Sequence, residues 1–228
     1  MRGLIAFDLD GVLYSAEPFL SEAYREAIAN VNVRRPGSFS RLPSTREILD
    51  HVGWPVSVIL ERLFPRVDPV AVDLLSSETL DVIAAHVARR EGILFPGVAA
   101  TLSRLRDSGF VLAIASNGRR GYVATVLDTY GLSAVFTDLV TVDDAAGWQK
   151  ADILRIHLAA QHCTARQLVM VGDRASDVEA AAAVGCRFIG CDYGHGYRHE
   201  IAPAGPLVTS FAQLPEVIVA LFNADRNG

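Results

Sequence analysis

Three short polar clusters carry the side chains with which this sequence could do chemistry. Asp8 and Asp10 flank Leu9 in Asp8-Leu9-Asp10-Gly11, Ser116-Asn117-Gly118 offers a hydroxyl and an amide, and Gly172-Asp173-Arg174-Ala175-Ser176-Asp177 adds two more carboxylates. Each cluster is ambiguous alone: Asp-x-Asp-Gly is a turn former, and Ser-Asn-Gly or Gly-Asp ahead of a helix can be no more than a turn or an N-cap. Their placement links them. Each follows directly on a short apolar run, Leu4 to Phe7, Val111 to Ala115 and Leu168 to Val171. In open parallel sheets ligands bind beyond the carboxyl ends of the strands, so the three clusters are expected to converge on one crevice. Carboxylates gathered there are costly unless a cation neutralises them, and oxygen donors without His or Cys select a hard ion such as Mg²⁺.

The elements that must position these groups follow from the hydrophobic pattern. The three runs, with Leu139 to Val142 and Arg187 to Cys191, are continuous and rich in Val, Ile, Leu and Phe, as strands covered on both faces are. Helical patterns separate them: Val98 to Ser108, Tyr122 to Tyr130, Ala151 to Gln161 and Asp177 to Val184. This alternation predicts a doubly wound, Rossmann-like α/β core with a parallel sheet. Residues 15–90 break the rhythm. Ser21 to Asn30, Thr45 to Val52, Val56 to Phe64 and Pro69 to Arg90 favour helix, the last opened by an Asp68 cap and Pro69, and Gly92 with Pro96-Gly97 marks a linker back to the core. The expected organisation is therefore a core of residues 1–14 and 92–228 with a helical insert at 15–91.

Composition narrows the class of protein. With 228 residues, 50% hydrophobic and 21% charged, the chain is a globular protein rather than a disordered or low-complexity one. A net charge of −5 leaves no global basic footprint, so no nucleic-acid partner is expected. The first apolar stretch meets Asp8 too early for a signal-peptide core, and no run reaches the ~18 apolar residues of a membrane span, so no membrane partner and a cytoplasmic location are expected. Cys163, Cys186 and Cys191 lack paired metal-type spacing and are assigned no chemistry.

The run Phe7-Asp8-Leu9-Asp10-Gly11-Val12-Leu13 resembles the first motif of the haloacid dehalogenase-like hydrolase superfamily. Ser116-Asn117, Lys150 and Gly172 through Asp177 are similar to its second, third and fourth motifs, in the same order along essentially the whole chain. The helical insert after the first motif resembles the small cap of the subgroup containing phosphoglycolate phosphatases and β-phosphoglucomutases. The resemblance implies that Asp8 is a nucleophile forming an aspartyl-phosphate and that Asp10 is the general acid and base. It further implies Mg²⁺ held by Asp8, the Asp10 carbonyl and Asp173, with Asp177 orienting a metal-bound water, and Ser116, Asn117 and Lys150 holding the phosphoryl oxygens. An acid at Asp10 points to phosphate esters, and Gly172-Asp173, where mutases of the subgroup often carry Glu-Asp, favours hydrolysis. The expected enzyme is thus a Mg²⁺-dependent phosphatase acting on a small phosphorylated metabolite of phosphoglycolate type. The alternatives are a sugar phosphomutase or a non-catalytic member that binds such a metabolite.

Several further residues border this picture. Lys150 is followed by Ala151-Asp152 where family members often have Pro-x-Pro. Arg46, in Arg41-Leu42-Pro43-Ser44-Thr45-Arg46, is suited to pair a substrate carboxylate from the insert, while Ser44 and Glu47 read equally as a capping box. Arg119-Arg120 either meets an anionic substrate or is solvated. His195 and His199 are spaced for a helical metal pair, but Gly194 and Gly196 place them in a loop beside the crevice.

Overall fold

The computed structural model describes residues 2–145 and 149–224. In chain order its strands are β1 (Leu4–Phe7), β2 (Tyr14–Ser15), β3 (Ile93–Leu94), β4 (Val111–Ser116), β5 (Asp138–Thr141), β6 (Leu168–Gly172), β7 (Arg187–Cys191) and β8 (Leu207–Val208). Six of them form one parallel sheet in the order β5-β4-β1-β6-β7-β8. The first strand lies inside the sheet with partners on both edges, which is why all four of its residues are buried. Successive side chains of a strand point to opposite faces. Accordingly Ile5, Phe7, Leu112, Ile114, Val169 and Val171 join one core, and Leu4, Ala6, Ala113, Ala115, Leu168 and Met170 the other.

Helices cover both faces. After the insert, α5 (Val98–Asp107), α6 (Arg120–Thr129) and α10 (Leu214–Ala224) supply the first core, while α7 (Lys150–Ala160) and α8 (Ala175–Val184) pack together over the second. A short α9 (Arg198–Ile201) precedes β8. The fold is the doubly wound α/β sheet that the alternation predicts. The edge strand β8 and helix α10 were not foreseen. Two residues are too few to show alternation, and Val217-Ile218-Val219-Ala220-Leu221-Phe222 is apolar on every side, so periodicity cannot distinguish strand from helix there.

Between β2 and β3 the chain is helical: α1 (Glu17–Arg34), α2 (Thr45–Leu49), α3 (Val56–Leu63) and α4 (Pro69–Ala88). Helix α1 is longer than the pattern predicts at both ends, and α2 is shorter. The expected caps form. The Glu47 N–H donates to Ser44 Oγ at 3.2 Å while the Glu47 carboxylate accepts from the Ser44 N–H at 2.8 Å, and Asp68 accepts from the Val70 N–H at 3.3 Å. Helix α4 packs on α1, α3 and the core helix α6. The two crossings between insert and sheet pair antiparallel, Tyr14 with Leu94 and Ser15 with Ile93, a two-residue ribbon where helices alone were expected. Among the described residues no helix is long and apolar enough to cross a membrane.

Candidate active site

Strand register brings the polar clusters together. Phe7 pairs with Ile114 on one side and Val171 on the other. Asp8 therefore lies level with Ala115 and Gly172, and the next residues of the neighbouring strands are Ser116 and Asp173. The Asp8 N–H still donates to Val171 C=O at 3.0 Å, so the ladder ends on the reactive residue itself. Beyond it the chain turns tightly, with the Leu13 and Tyr14 N–H groups donating to Leu9 C=O at 2.9 and 3.1 Å.

Gly11 closes this turn at φ 79°, and a Cβ there would strike the Asp173 carboxylate. Gly11→Ala should cost about 1–2 kcal/mol from the left-handed backbone alone, with Asp173 displaced in addition. The expected result is a lower urea midpoint than the parent at unchanged slope. An unchanged midpoint would show that the turn relaxes freely.

Asp8 is buried with both oxygens engaged, Oδ1 by the Leu9 N–H at 2.8 Å and Oδ2 by Lys150 Nζ at 2.8 Å. Lys150 is not a solvated lysine at a helix start. It is 4% exposed and bridges Asp8 to the fully buried Asp177. Its helix is pinned by His157, whose ring bonds Ile114 C=O at 2.7 Å and Asp138 at 3.0 Å, so α7 is tied to both β4 and β5. Burial pulls the Lys150 ammonium down, but Asp177 and Asp8 more than reverse this, and it stays charged.

The remaining carboxylates are held as firmly. Asp177 Oδ2 accepts the Asp173 and Arg174 N–H groups at 3.0 Å each, capping α8, while Oδ1 takes Lys150. Asp173 Oδ2 accepts from the backbone N–H of His195 (2.7 Å) and Gly196 (3.0 Å). Asp10 Oδ1 accepts from the Tyr122 hydroxyl at 2.6 Å. Burial pushes Asp8, Asp10 and Asp173 each up to about 7, against the pull of Lys150 on Asp8, of Tyr122 on Asp10 and of Arg174 on Asp173.

The donor set fits a hard divalent cation. Asp8, Asp173 and Asp177 each offer an oxygen within 4.8 Å of the others. Asp173 Oδ1 is buried without any hydrogen-bond partner, a costly state for a carboxylate oxygen that a cation would relieve. Asp8, Asp10, Asp173 and Asp177 face the buried cations Lys150 and Arg174, which leaves a negative excess for a metal to balance.

Asp8, Asp10, Ser116 and Asn117 line one pocket with residues of the insert. Two core residues reach across to it: Asn117 Nδ2 donates to Gly53 C=O at 2.7 Å, and the Arg174 guanidinium donates to Leu49 C=O. Arg46 is not in this pocket. Its Nε pairs with Asp50 at 2.8 Å, one turn along, and its guanidinium lies 4.9 Å over the Tyr197 ring, so an intrahelical partner and an aromatic face hold it at the rim. Arg119 and Arg120 are both exposed to solvent and paired with Asp143 (2.7 Å) and Asp144 (2.8 Å), and Arg119 also lines the pocket. His195 borders the crevice as its loop position suggests, and burial, then Arg174 and Arg46, push its imidazole down to about 4. Cys191 is buried and Cys163 and Cys186 half-buried, all as free thiols. Tyr122 escaped the sequence reading. Nothing in its surroundings marks it, and it meets Asp10 across 112 residues through the packing of α6.

Comparison with known proteins gives a consistent result. The sequence model of the haloacid dehalogenase-like hydrolases matches residues 3–185. Phosphoglycolate phosphatase of Yersinia pestis is 31% identical over 220 residues, covering 94% of this chain and 91% of the relative. That of Vibrio cholerae is 29% identical over 211 residues, covering 89% and 90%. Among solved structures, a predicted phosphoglycolate phosphatase from Haemophilus somnus superposes with a TM-score of 0.85 at 21% identity, covering 96% of this chain and 99% of its own. CbbY from Rhodobacter sphaeroides, in complex with phosphate, gives 0.80 at 23%, covering 94% and 96%.

Proposed function

The chain belongs to the haloacid dehalogenase-like hydrolases, and from that membership we propose that it is a Mg²⁺-dependent phosphatase cleaving a small phosphate monoester through an aspartyl-phosphate. The observation that carries the reading is the set of Asp8, Lys150, Asp173 and Asp177 buried together at the carboxyl ends of adjacent parallel strands, with Asp10 two residues from the nucleophile. In the first step an Asp8 oxygen attacks phosphorus, the bond to the ester oxygen breaks, and the departing alcohol takes a proton from Asp10. In the second, water attacks the phosphorus, Asp10 takes the water's proton, and phosphate leaves Asp8 as a free carboxylate.

The surroundings suit these roles. Burial keeps the protonated form of Asp10 accessible near neutral pH, and Tyr122 occupies Oδ1, leaving Oδ2 to carry the proton. The Lys150 ammonium, the Ser116 hydroxyl and the Asn117 N–H would face the transferring phosphoryl oxygens. Asp177 positions Lys150 and the loop that carries Asp173. Mg²⁺, held by Asp8, the Asp10 carbonyl and Asp173, would supply positive charge against the carboxylates and the phosphoryl oxygens. Residues 15–91 serve as a cap over a core of residues 1–14 and 92–228. The relatives' name makes 2-phosphoglycolate the first ester to assay.

Activity should vanish with a chelator, return with Mg²⁺, and be opposed by Ca²⁺, whose larger and looser coordination misplaces the nucleophile. Mg²⁺ should also raise the thermal midpoint of the parent and leave that of Asp173→Asn unmoved. Full activity in chelator, with no thermal shift, would remove the metal from the reading.

A further inference from the structure

The insert's contribution to the pocket is almost entirely apolar. Leu20, Ile48, Leu49, Val56, Ile59 and Ile83 line it, together with the rings of Tyr24 and Trp54. They come from α1, α2, α3, α4 and the loop that carries Trp54, so four helices direct hydrophobic surface at one space above Asp8 and Asp10.

Among the described residues the insert brings no cationic side chain to the pocket. From the insert the only charged lining residue, among those described, is Glu17. Asn117 donates one amide N–H to Gly53 C=O, and its Oδ1 is buried without a partner, an acceptor besides Glu17. Of the insert's nine arginines, Arg25, Arg34, Arg35, Arg41, Arg46 and Arg89 are each paired with a carboxylate, Arg62 lies 4.5 Å from the centre of the Trp54 ring and Arg90 5.7 Å from that of Tyr130. None of them lines the pocket. On the core side Arg119 does line the pocket, half-exposed and paired with Asp143 at 2.7 Å, and it is the one cationic side chain of the described lining, at the core wall rather than under the insert. A carboxylate on the leaving alcohol would therefore be desolvated against Leu and Ile and set beside Glu17, with no cation from the insert to receive it.

We infer that the alcohol released by this enzyme is uncharged and largely apolar, a branched, cyclic or extended alkyl group or an aryl group, and not a carboxylate-bearing one such as glycolate. The inference rests on the phosphatase reading above and gives it a substrate class. The phosphoryl group is bound by the core, the same for every ester, and the alcohol is selected by burial of its carbon surface beneath the insert. A hydroxyl or amino group on that alcohol has acceptors in Glu17 and Asn117.

The test is kcat/KM with Mg²⁺ for ethyl, butyl and hexyl phosphate and for 2-phosphoglycolate, all alkyl esters, so that leaving-group activation does not obscure the comparison. Burial of each methylene should raise kcat/KM by up to about fourfold, so hexyl phosphate is expected to exceed both ethyl phosphate and 2-phosphoglycolate by at least about tenfold. Trp54→Ala, at a half-exposed position where the fold has little to lose, should compress the hexyl-to-ethyl ratio. A flat series, or 2-phosphoglycolate as the best ester, would overturn the inference and leave the phosphatase standing. Calorimetry on the parent protein with Mg²⁺ separates the two questions further, because hexylphosphonate and 3-phosphonopropanoate cannot be hydrolysed. If no ester is turned over but hexylphosphonate binds the tighter, the phosphatase reading falls and the apolar selection survives; if 3-phosphonopropanoate binds the tighter, the selection is wrong whatever the turnover.

Discussion

Asp8→Asn is expected to abolish turnover while leaving the fold in place. The amide has the volume of the carboxylate, and its single oxygen can accept either the Leu9 N–H or Lys150 Nζ, not both. What it lacks is the nucleophilic oxyanion, and it also loses a negative charge from the set of carboxylates around Asp173. Lys150 keeps Asp177 as its ionic partner, so no buried ammonium is left unpaired. Burial disfavours the charged form of Asp8, so a neutral side chain there offsets part of what is lost with the Lys150 pair in the metal-free protein. The measurement is steady-state phosphate release beside acid-quench trapping of labelled phosphoenzyme. The variant should show neither, with a thermal midpoint close to the parent's in chelator. Turnover above a few per cent of the parent's would remove Asp8 as the nucleophile.

The strand ends carrying these acids were legible because two independent signals coincide there. A continuous apolar run names a strand buried on both faces, and its abrupt change to Asp, Ser or Gly-Asp names the end at which a crevice opens. Lys150 was legible only through resemblance, since a Lys at a helix start is otherwise a surface residue. It is buried at the start of α7, a helix that His157 ties to the β4–β5 pair through contacts that no local pattern contains. The Tyr122 and Asn117 side chains make contacts 112 and 64 residues away; the resemblance names Asn117 for phosphoryl binding, but for these two contacts the sequence offers only polarity as a hint.

The insert shows a different limit. In the sequence Arg46 is the residue suited to select a substrate by charge, whereas the insert lines the pocket with Leu20, Ile48 and Ile83. In a helical pattern a pocket-lining Leu and a core Leu are the same letter at the same spacing. Which of them faces a cavity depends on how four helices meet one another above the sheet. An arginine, by contrast, stands out in sequence wherever it is, and Arg46 turned out to be satisfied by Asp50 one turn along its own helix.

Asp10→Asn should separate the two halves of the reaction. If Asp10 gives its proton to the departing alcohol, its loss costs on the order of 10²–10⁴ in rate for an alkyl ester, whose alkoxide is a poor leaving group. An aryl phosphate departs as a phenolate that needs little protonation, so its first step should be slowed far less. The substitution is gentle on the structure: the Asn oxygen can still accept the Tyr122 hydroxyl, and the neutral side chain matches the form that burial favours for Asp10. A rate effect that depends on the leaving group therefore reports proton transfer and not a disturbed pocket. The second step is common to every ester and should be slowed equally for all, because Asp10 then takes the proton of the attacking water. With an aryl ester the variant should accumulate phosphoenzyme on Asp8, visible as a burst of phenol followed by slow phosphate release. With an alkyl ester formation itself becomes limiting and no burst appears. Equal slowing of phosphoenzyme formation for both esters would assign Asp10 to holding the turn between β1 and α1 rather than to moving a proton.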